Sequence, residues 1–237
     1  MHIKKFKKIV IKIGSSILIN KKGKLKKVWL KEFAKDVKSL IREKKQIIIV
    51  SSGSIALGCE YLGIKKRGLK IEKSQAIASI GQIILMNFYK KIFDIKGIKI
   101  SQILLTLDDT EVRRRSINAK RTIDNLLSMG VVPIVNENDT TATTEIKYGD
   151  NDRLASRVSQ IIGADCLILL SDIDGLFTSN PKKSKNTKLI KIVKNIDKNI
   201  KKYATNAESI YGSGGMKTKI EAAKICQHSG CYMIIAN

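Results

Sequence analysis

The sequence predicts an α/β protein built as a three-layer αβα sandwich, with helices over both faces of a mostly parallel central sheet. Three observations predict it. Short runs of nearly continuous Ile, Leu and Val recur along the chain, longer segments with apolar residues at helical spacing separate them, and the breaks are small, polar or charged. A strand that is apolar on both sides of its pleat must be covered on both sides, and strands that alternate with long helices pair in parallel.

In chain order, Lys8 to Ile13 and Gln46 to Val50 read as strands. Between them Val28 to Lys45 reads as a helix, with Leu30, Phe33, Val37, Leu40 and Ile41 on one stripe. That is one βαβ unit. A helix over Ser74 to Phe93 leads to a strand at Lys99 to Thr106, and a helix near Ser116 to Met129 leads to a strand at Val131 to Val135. The Thr-rich segment Thr140 to Tyr148 reads as a hairpin. A helix follows from Asn151, with Leu154, Val158, Ile161 and Ile162 on one face, and strands at Cys166 to Leu170 and Tyr232 to Ala236 complete the pattern. Pro133 and Pro181 are the only prolines, so glycine supplies most of the punctuation. No internal repeat or linker divides the chain, and one domain over residues 1–237 is expected.

At 237 residues and 43% hydrophobic the chain can bury a full core, which excludes global disorder. Its apolar runs are too short for a membrane-spanning helix, which needs roughly 18 to 20 residues. Met1 to Lys12 is basic but lacks a long apolar region and a small-residue cleavage site, so it reads as mature protein. The formal charge of +24 raises the question of a nucleic-acid partner. Of the 45 basic residues only 8 are Arg, the side chain that readers of bases favour. The lysines are scattered, with clusters at Lys4 to Lys8, Lys21 to Lys27 and Pro181 to Lys202. A solvated lysine-rich surface is therefore the expectation, with a basic nucleic-acid-binding protein as the alternative of a different class. Cys59, Cys166, Cys226 and Cys231 form no C-x-x-C pair and fit free thiols in a reducing cytoplasm, and His2 and His228 are too few for a zinc cluster.

In a doubly covered parallel sheet, ligands sit beyond the carboxyl ends of the strands. Those ends carry chemistry here. The first strand runs into Lys12, Gly14, Ser15 and Ser16, and the second into Ser51, Ser52, Gly53 and Ser54 ahead of a helix. The fourth gives Asn136, Glu137, Asn138 and Asp139, and the fifth gives Ser171, Asp172 and Asp174. Gly212 to Gly215 then form a glycine nest leading to Lys217, Thr218 and Lys219 on a helix. Backbone N–H groups at such turns and helix N-termini favour an anion. Each signal has a plainer reading. Ser52, Asp150 and Asn151 suit helix caps, Asp172 suits a turn, and neither G-x-x-x-x-G-K-[ST] nor G-x-G-x-x-G occurs. Lys12 resists a plain reading: between Ile11 and Ile13 in a buried strand, its charge is costly unless it meets an anion or a carboxylate.

In this order the segments VIKIGSS (Val10 to Ser16), IVSSGSIALG (Ile49 to Gly58), QAIASIGQ (Gln75 to Gln82), VNENDTTATTEIKYGDND (Val135 to Asp152), LLSDIDGLFTSNP (Leu169 to Pro181) and GSGGMKTKIEAA (Gly212 to Ala223) resemble the amino acid kinase family. Within it they resemble most the branch that phosphorylates glutamate at the head of proline biosynthesis. The last two segments are also similar to aspartate, acetylglutamate and UMP kinases, which stay open as alternatives, whereas SSGSIALG, NEND and GDND point to glutamate.

The resemblance implies the amino acid kinase fold, ATP with Mg2+, L-glutamate as acceptor, proline as a feedback inhibitor in the glutamate pocket, and a cytoplasmic homo-oligomer. It implies catalytic roles for Lys12, Lys219 and Asp152, with Asp152 orienting the two lysines. Ser52, Asp139 and Asn151 would hold glutamate with Asp150 beside it. The nucleotide would meet Lys12, Ser171, Asp172, Ser213, Gly214, Gly215, Met216, Lys217, Thr218 and Lys219. No metal ligand is assigned. Many members carry a C-terminal PUA domain, and the expectation is a kinase domain without one. Ser54 stands where the family usually has Ala.

Overall fold

The structure, a computed structural model, describes residues 3–65, 68–142, 151–179, 187–205 and 215–237. A six-stranded sheet in the order β3-β4-β2-β1-β5-β8 forms its centre. Its strands are β1 (Lys8–Ile13), β2 (Gln46–Val50), β3 (Ile100–Leu105), β4 (Val132–Glu137), β5 (Cys166–Leu170) and β8 (Tyr232–Ala236). Every neighbouring pair is parallel, as the doubly apolar strands require. The helices are α1 (Ser15–Leu18), α2 (Lys27–Arg42), α3 (Ser54–Leu62), α4 (Ile71–Ile95), α5 (Leu107–Glu111), α6 (Arg113–Ser128), α7 (Asn151–Ile162), α8 (Lys198–Thr205) and α9 (Met216–His228). A short antiparallel pair, β6 (Leu176–Phe177) and β7 (Leu189–Ile190), lies apart from the main sheet.

The period of two along each strand sorts the core into two layers. Ile9, Ile11 and Ile13 join Ile47, Ile49 and Ile134 under α2, α3 and α4, which contribute Leu30, Phe33, Leu57, Leu85, Tyr89 and Phe93. Val10, Ile48, Val50, Val135, Leu167 and Leu169 face the other way, onto Ile123 of α6, Leu154, Ala155 and Val158 of α7, and Cys226 of α9. Lys12 shares the parity of Val10. The pleat therefore sends its side chain into the layer of α7 and α9. All four cysteines are buried and none is in a disulfide.

Two glycines bring α3 and α4 into backbone contact. A Cβ on Gly81 would stand 1.8 Å from the Ser54 carbonyl oxygen, and one on Gly58 would stand 2.2 Å from that of Ile77. Only a residue without a side chain fits at either position. Gly53, at φ 110°, makes the turn between Ser52 and α3 in a region that other residues avoid.

Several boundaries differ from the sequence expectation. The β4 strand continues through Asn136 and Glu137, because β3 extends alongside it and pairs Leu104 with Asn136 and Leu105 with Glu137. Ladder pairing outweighs the polar side chains there. The α2 helix stops at Arg42: Lys44 turns to positive φ, and the Lys45 ammonium donates to the carbonyls of Ile3, Lys4 and Phe6 at 3.3, 3.2 and 2.9 Å. The α5 helix was not expected. It starts from a capping box in which Thr106 and Asp109 each satisfy the other's backbone N–H. A third small core of Leu176, Ala204, Met216 and Ile220 holds β6, α8 and α9 together. Of the expected hairpin at Thr140 to Tyr148, residues 143–148 lie outside the described residues, and Asp139 to Thr141 form a turn.

Candidate active site

The carboxyl ends of β1, β2 and β4 meet the N-termini of α3, α7 and α9 at one edge of the sheet. Asp152, in the first turn of α7, receives Lys12 from β1 and Lys219 from α9. The Lys12 Nζ stands 2.6 Å from Asp152 Oδ1 as an ion pair, and the Lys219 Nζ donates to Oδ2 at 2.9 Å. The Thr218 hydroxyl also reaches Oδ2 at 3.1 Å and lies 2.9 Å from the Gly215 carbonyl. All three charged residues are buried, with 9%, 1% and 6% exposure for Lys12, Asp152 and Lys219. Burial by itself would raise the Asp152 carboxyl, but the Lys12 and Lys219 ammonium groups overcome it and hold the group at about 2. Among the described residues one carboxylate thus serves two cations, and the cluster keeps a surplus positive charge out of water. Such a charge calls for a second anion.

Asn151 precedes Asp152 and faces a different set of partners. Its Nδ2 lies 2.6 Å from the Ser51 carbonyl, 2.8 Å from Ser52 Oγ and 3.0 Å from Asn136 Oδ1. Asn136 Nδ2 donates to Gln82 Oε1 at 2.7 Å, and the hydroxyls of Ser51 and Tyr89 are 3.0 Å apart. Asp139 accepts a hydrogen bond from Ser54 Oγ at 3.3 Å. Burial lifts its carboxyl to about 6, a rise that the Ser54 bond only partly offsets. Burial also pushes the Tyr89 phenol far up, so it stays a neutral partner of Ser51.

The structure therefore brings Lys12, Asp152 and Lys219 together in one cluster and Ser52 with Asn151 in another, while Asp139 stands beside α3 through Ser54. Ser171 is buried at the end of β5, where its N–H donates to Ala236 at 2.8 Å, and Asp172 is exposed beyond it. Gly215 precedes α9, the Met216 side chain packs in the third core, and Lys217 is exposed. Asp150, Ser213 and Gly214 lie outside the described residues. Sequence reasoning assigned no role to Gln82 or Tyr89 and noted Ser51 and Asn136 only as strand-end residues. One signal was available, since Gln82 interrupts the buried stripe of Ala78, Leu85 and Tyr89 on α4.

Among the described residues no group of three His, Cys, Asp or Glu could hold a metal ion, and no helix is long and apolar enough to cross a membrane. A cavity of about 210 Å3 lies beside Asp139, lined by Ser79, Gln82, Gln102 and Glu137 among others. It borders the amide cluster and not the lysines.

Curated relatives named glutamate 5-kinase include those of Pelagibacter ubique (strain HTCC1062), 67% identical, and Nitrobacter hamburgensis (strain DSM 10229 / NCIMB 13809 / X14), 50% identical. A third, from Bradyrhizobium diazoefficiens (strain JCM 10833 / BCRC 13528 / IAM 13628 / NBRC 14792 / USDA 110), is 48% identical. Each alignment covers 100% of this chain and, in turn, 64%, 63% and 64% of the relative, so the chain spans a little under two thirds of their length. The crystal structure of UMP kinase from Ureaplasma parvum shares the fold, with a TM-score of 0.60 at 16% identity over 98% of this chain and 89% of that one. The family model described as the amino acid kinase family matches residues 7–237, and with the whole six-stranded sheet and both clusters inside that match, the chain belongs to this family.

Proposed function

We propose that this chain transfers the γ-phosphoryl group of ATP to the side-chain carboxylate of L-glutamate, giving L-glutamyl 5-phosphate, the first step of proline biosynthesis. The observation that carries the reading is the buried Lys12–Asp152–Lys219 cluster, whose cations outnumber its anion. Support for glutamate as the acceptor comes from relatives of that name at 67%, 50% and 48% identity.

The acceptor carboxylate is ionised at neutral pH, so no general base is needed. The obstacle is repulsion between a negative nucleophile and a negative phosphate chain. Lys12 and Lys219 oppose it, at roughly 4 kcal/mol per close pair for an effective dielectric near 20. Asp152 holds the two ammonium groups around one point. ATP with Mg2+, when bound, supplies the phosphoryl group and a divalent charge that screens it. The residues present fit that group. Gly14 leaves the wall beside Lys12 bare, since a Cβ there would lie 3.9 Å from the Lys12 Nζ and 3.2 Å from the Leu170 carbonyl. Ser171, Asp172 and the segment Ser213 to Lys219 would line the nucleotide.

Ser52, Asn151 and Asp139 hold glutamate in this reading, with Asp150 beside it, and the Asp139 carboxylate matches the ammonium of an amino acid. Residues 1–237 act as one kinase domain of a cytoplasmic homo-oligomer, and proline competes for the glutamate pocket. The test is glutamate-dependent ADP release with the acyl phosphate trapped by hydroxylamine. Hydroxamate equal to ADP is expected. Release driven instead by aspartate, N-acetylglutamate or UMP would move the substrate, and release with no acceptor would overturn the reading.

A further inference from the structure

The segment Gln75 to Gln82 is not used by the chemistry above, yet its last two residues touch the acceptor side of the site. Gly81 lets α4 sit against the Ser54 carbonyl, which fixes how deeply the next residue reaches. That residue, Gln82, is 8% exposed and starts a chain of amides: Gln82 Oε1 to Asn136 Nδ2 at 2.7 Å, then Asn136 Oδ1 to Asn151 Nδ2 at 3.0 Å.

An amide side chain is nearly symmetric in shape, so its partners decide which end is oxygen. In a chain of amides that decision propagates. Gln82 offers oxygen, so Asn136 turns its NH2 towards α4 and its oxygen towards α7. Asn151 turns its NH2 to that oxygen and also to the Ser51 carbonyl and Ser52 Oγ just past β2, and the carbonyl, which can only accept, fixes the direction of the whole chain. The Asn151 oxygen is left buried without a hydrogen-bond partner among the described residues, available to a donor on a ligand. The far end agrees. Gln82 Nε2 has no partner among the described residues, and Gln82 lines the cavity of about 210 Å3 that Glu137 and Asp139 also line, a setting that favours a donor over an acceptor.

We propose that Gln82 is a positioning residue for acceptor binding: its oxygen anchors the far end of the Gln82–Asn136–Asn151 chain, whose polarity the Ser51 carbonyl fixes, so that Asn151 is held with its oxygen towards the acceptor and its NH2 towards Ser52. The proposal rests on the reading that Ser52 and Asn151 hold the acceptor.

The test compares Gln82→Met, which removes the amide at similar volume, with Gln82→Glu, which keeps an oxygen for Asn136. Both are assayed as full chains with whichever acceptor the wild type phosphorylates from a panel of glutamate, aspartate, N-acetylglutamate and UMP. A failure of glutamate is thereby separated from a failure of Gln82. Gln82→Met is expected to raise the half-saturation for the acceptor about tenfold, the scale of one lost buried hydrogen bond, with kcat and the ATP constant within about twofold. Gln82→Glu is expected to recover most of the loss. An acceptor constant unchanged in Gln82→Met, a parallel rise for ATP, or no recovery in Gln82→Glu would each overturn the proposal. Should Met not fold, Gln82→Ala carries the same comparison. Should no acceptor react, hydrogen exchange at the Asn151 side-chain NH2 decides: faster exchange in the variant than in the wild type supports the chain of amides, and equal exchange overturns it.

Discussion

Asn151 and Asp152 are neighbours in the first turn of α7, and they serve opposite kinds of surroundings. Asp152 draws in two cations, one from β1 and one from α9, and among the described residues its cluster keeps a net positive charge. Asn151 meets neutral groups from Ser51 and Ser52, just past β2, and from β4, and these contacts are specific in direction but carry no net charge. A single helix start thus divides the site into a half whose strength is Coulombic and a half whose strength is geometric. Changes on the Asp152 side should act on turnover and stability, and changes on the Asn151 side on half-saturation.

The largest effect expected is from Asp152→Ala. It leaves two buried ammonium groups without their shared carboxylate, and the loss of stability should be about 3–5 kcal/mol, read from the urea midpoint. A loss below about 1 kcal/mol would mean that the lysines find other partners. Next is Gly81→Ala, whose new methyl would meet the Ser54 carbonyl at 1.8 Å. The helices must part, at a cost of about 3 kcal/mol, and a melting temperature equal to wild type would refute the close crossing. Ser52→Ala removes one acceptor from Asn151 and should raise the glutamate constant about fivefold with kcat little changed. A drop in kcat alone would blur the proposed division.

Acidity sharpens the contrast further. The Asp152 carboxyl sits at about 2 in the folded protein against an ordinary 3.8. Its depressed value stabilises the fold fully above the ordinary value, and that contribution, about 2 kcal/mol, is lost as pH falls from about 4 to about 2. Asp139 behaves in the opposite sense. With its carboxyl at about 6, the unliganded protein becomes protonated there below that pH, and the acceptor constant should rise up to about tenfold per unit of further acidification. Asp139→Asn should flatten that profile, and a profile unchanged in the variant would remove Asp139 from the acceptor pocket.

Much of the charged half was legible in the sequence, because a lysine between Ile11 and Ile13 contradicts its own strand unless it has an ionic partner. The neutral half was less so. Asn136 lies inside β4, yet its polarity marked the strand as finished before it, and only pairing with β3 shows that the ladder continues. Gln82 is one polar residue in an apolar stripe, and its partner lies 54 positions away. The α5 helix carried a readable Thr-x-x-Asp box but spans only Leu107–Glu111, too short for periodicity to mark it. The β6 and β7 strands, of two residues each, owe their form to the third core and not to any local pattern.

The central claim is that the surplus charge around Asp152 stabilises the migrating phosphoryl group. The most direct measurement is kcat for Lys12→Ala and Lys219→Ala with glutamate and ATP saturating. The account predicts a fall of about 10²-fold or more in each, the scale of losing one transition-state donor, with the fold intact. Turnover near wild type in both variants would contradict it.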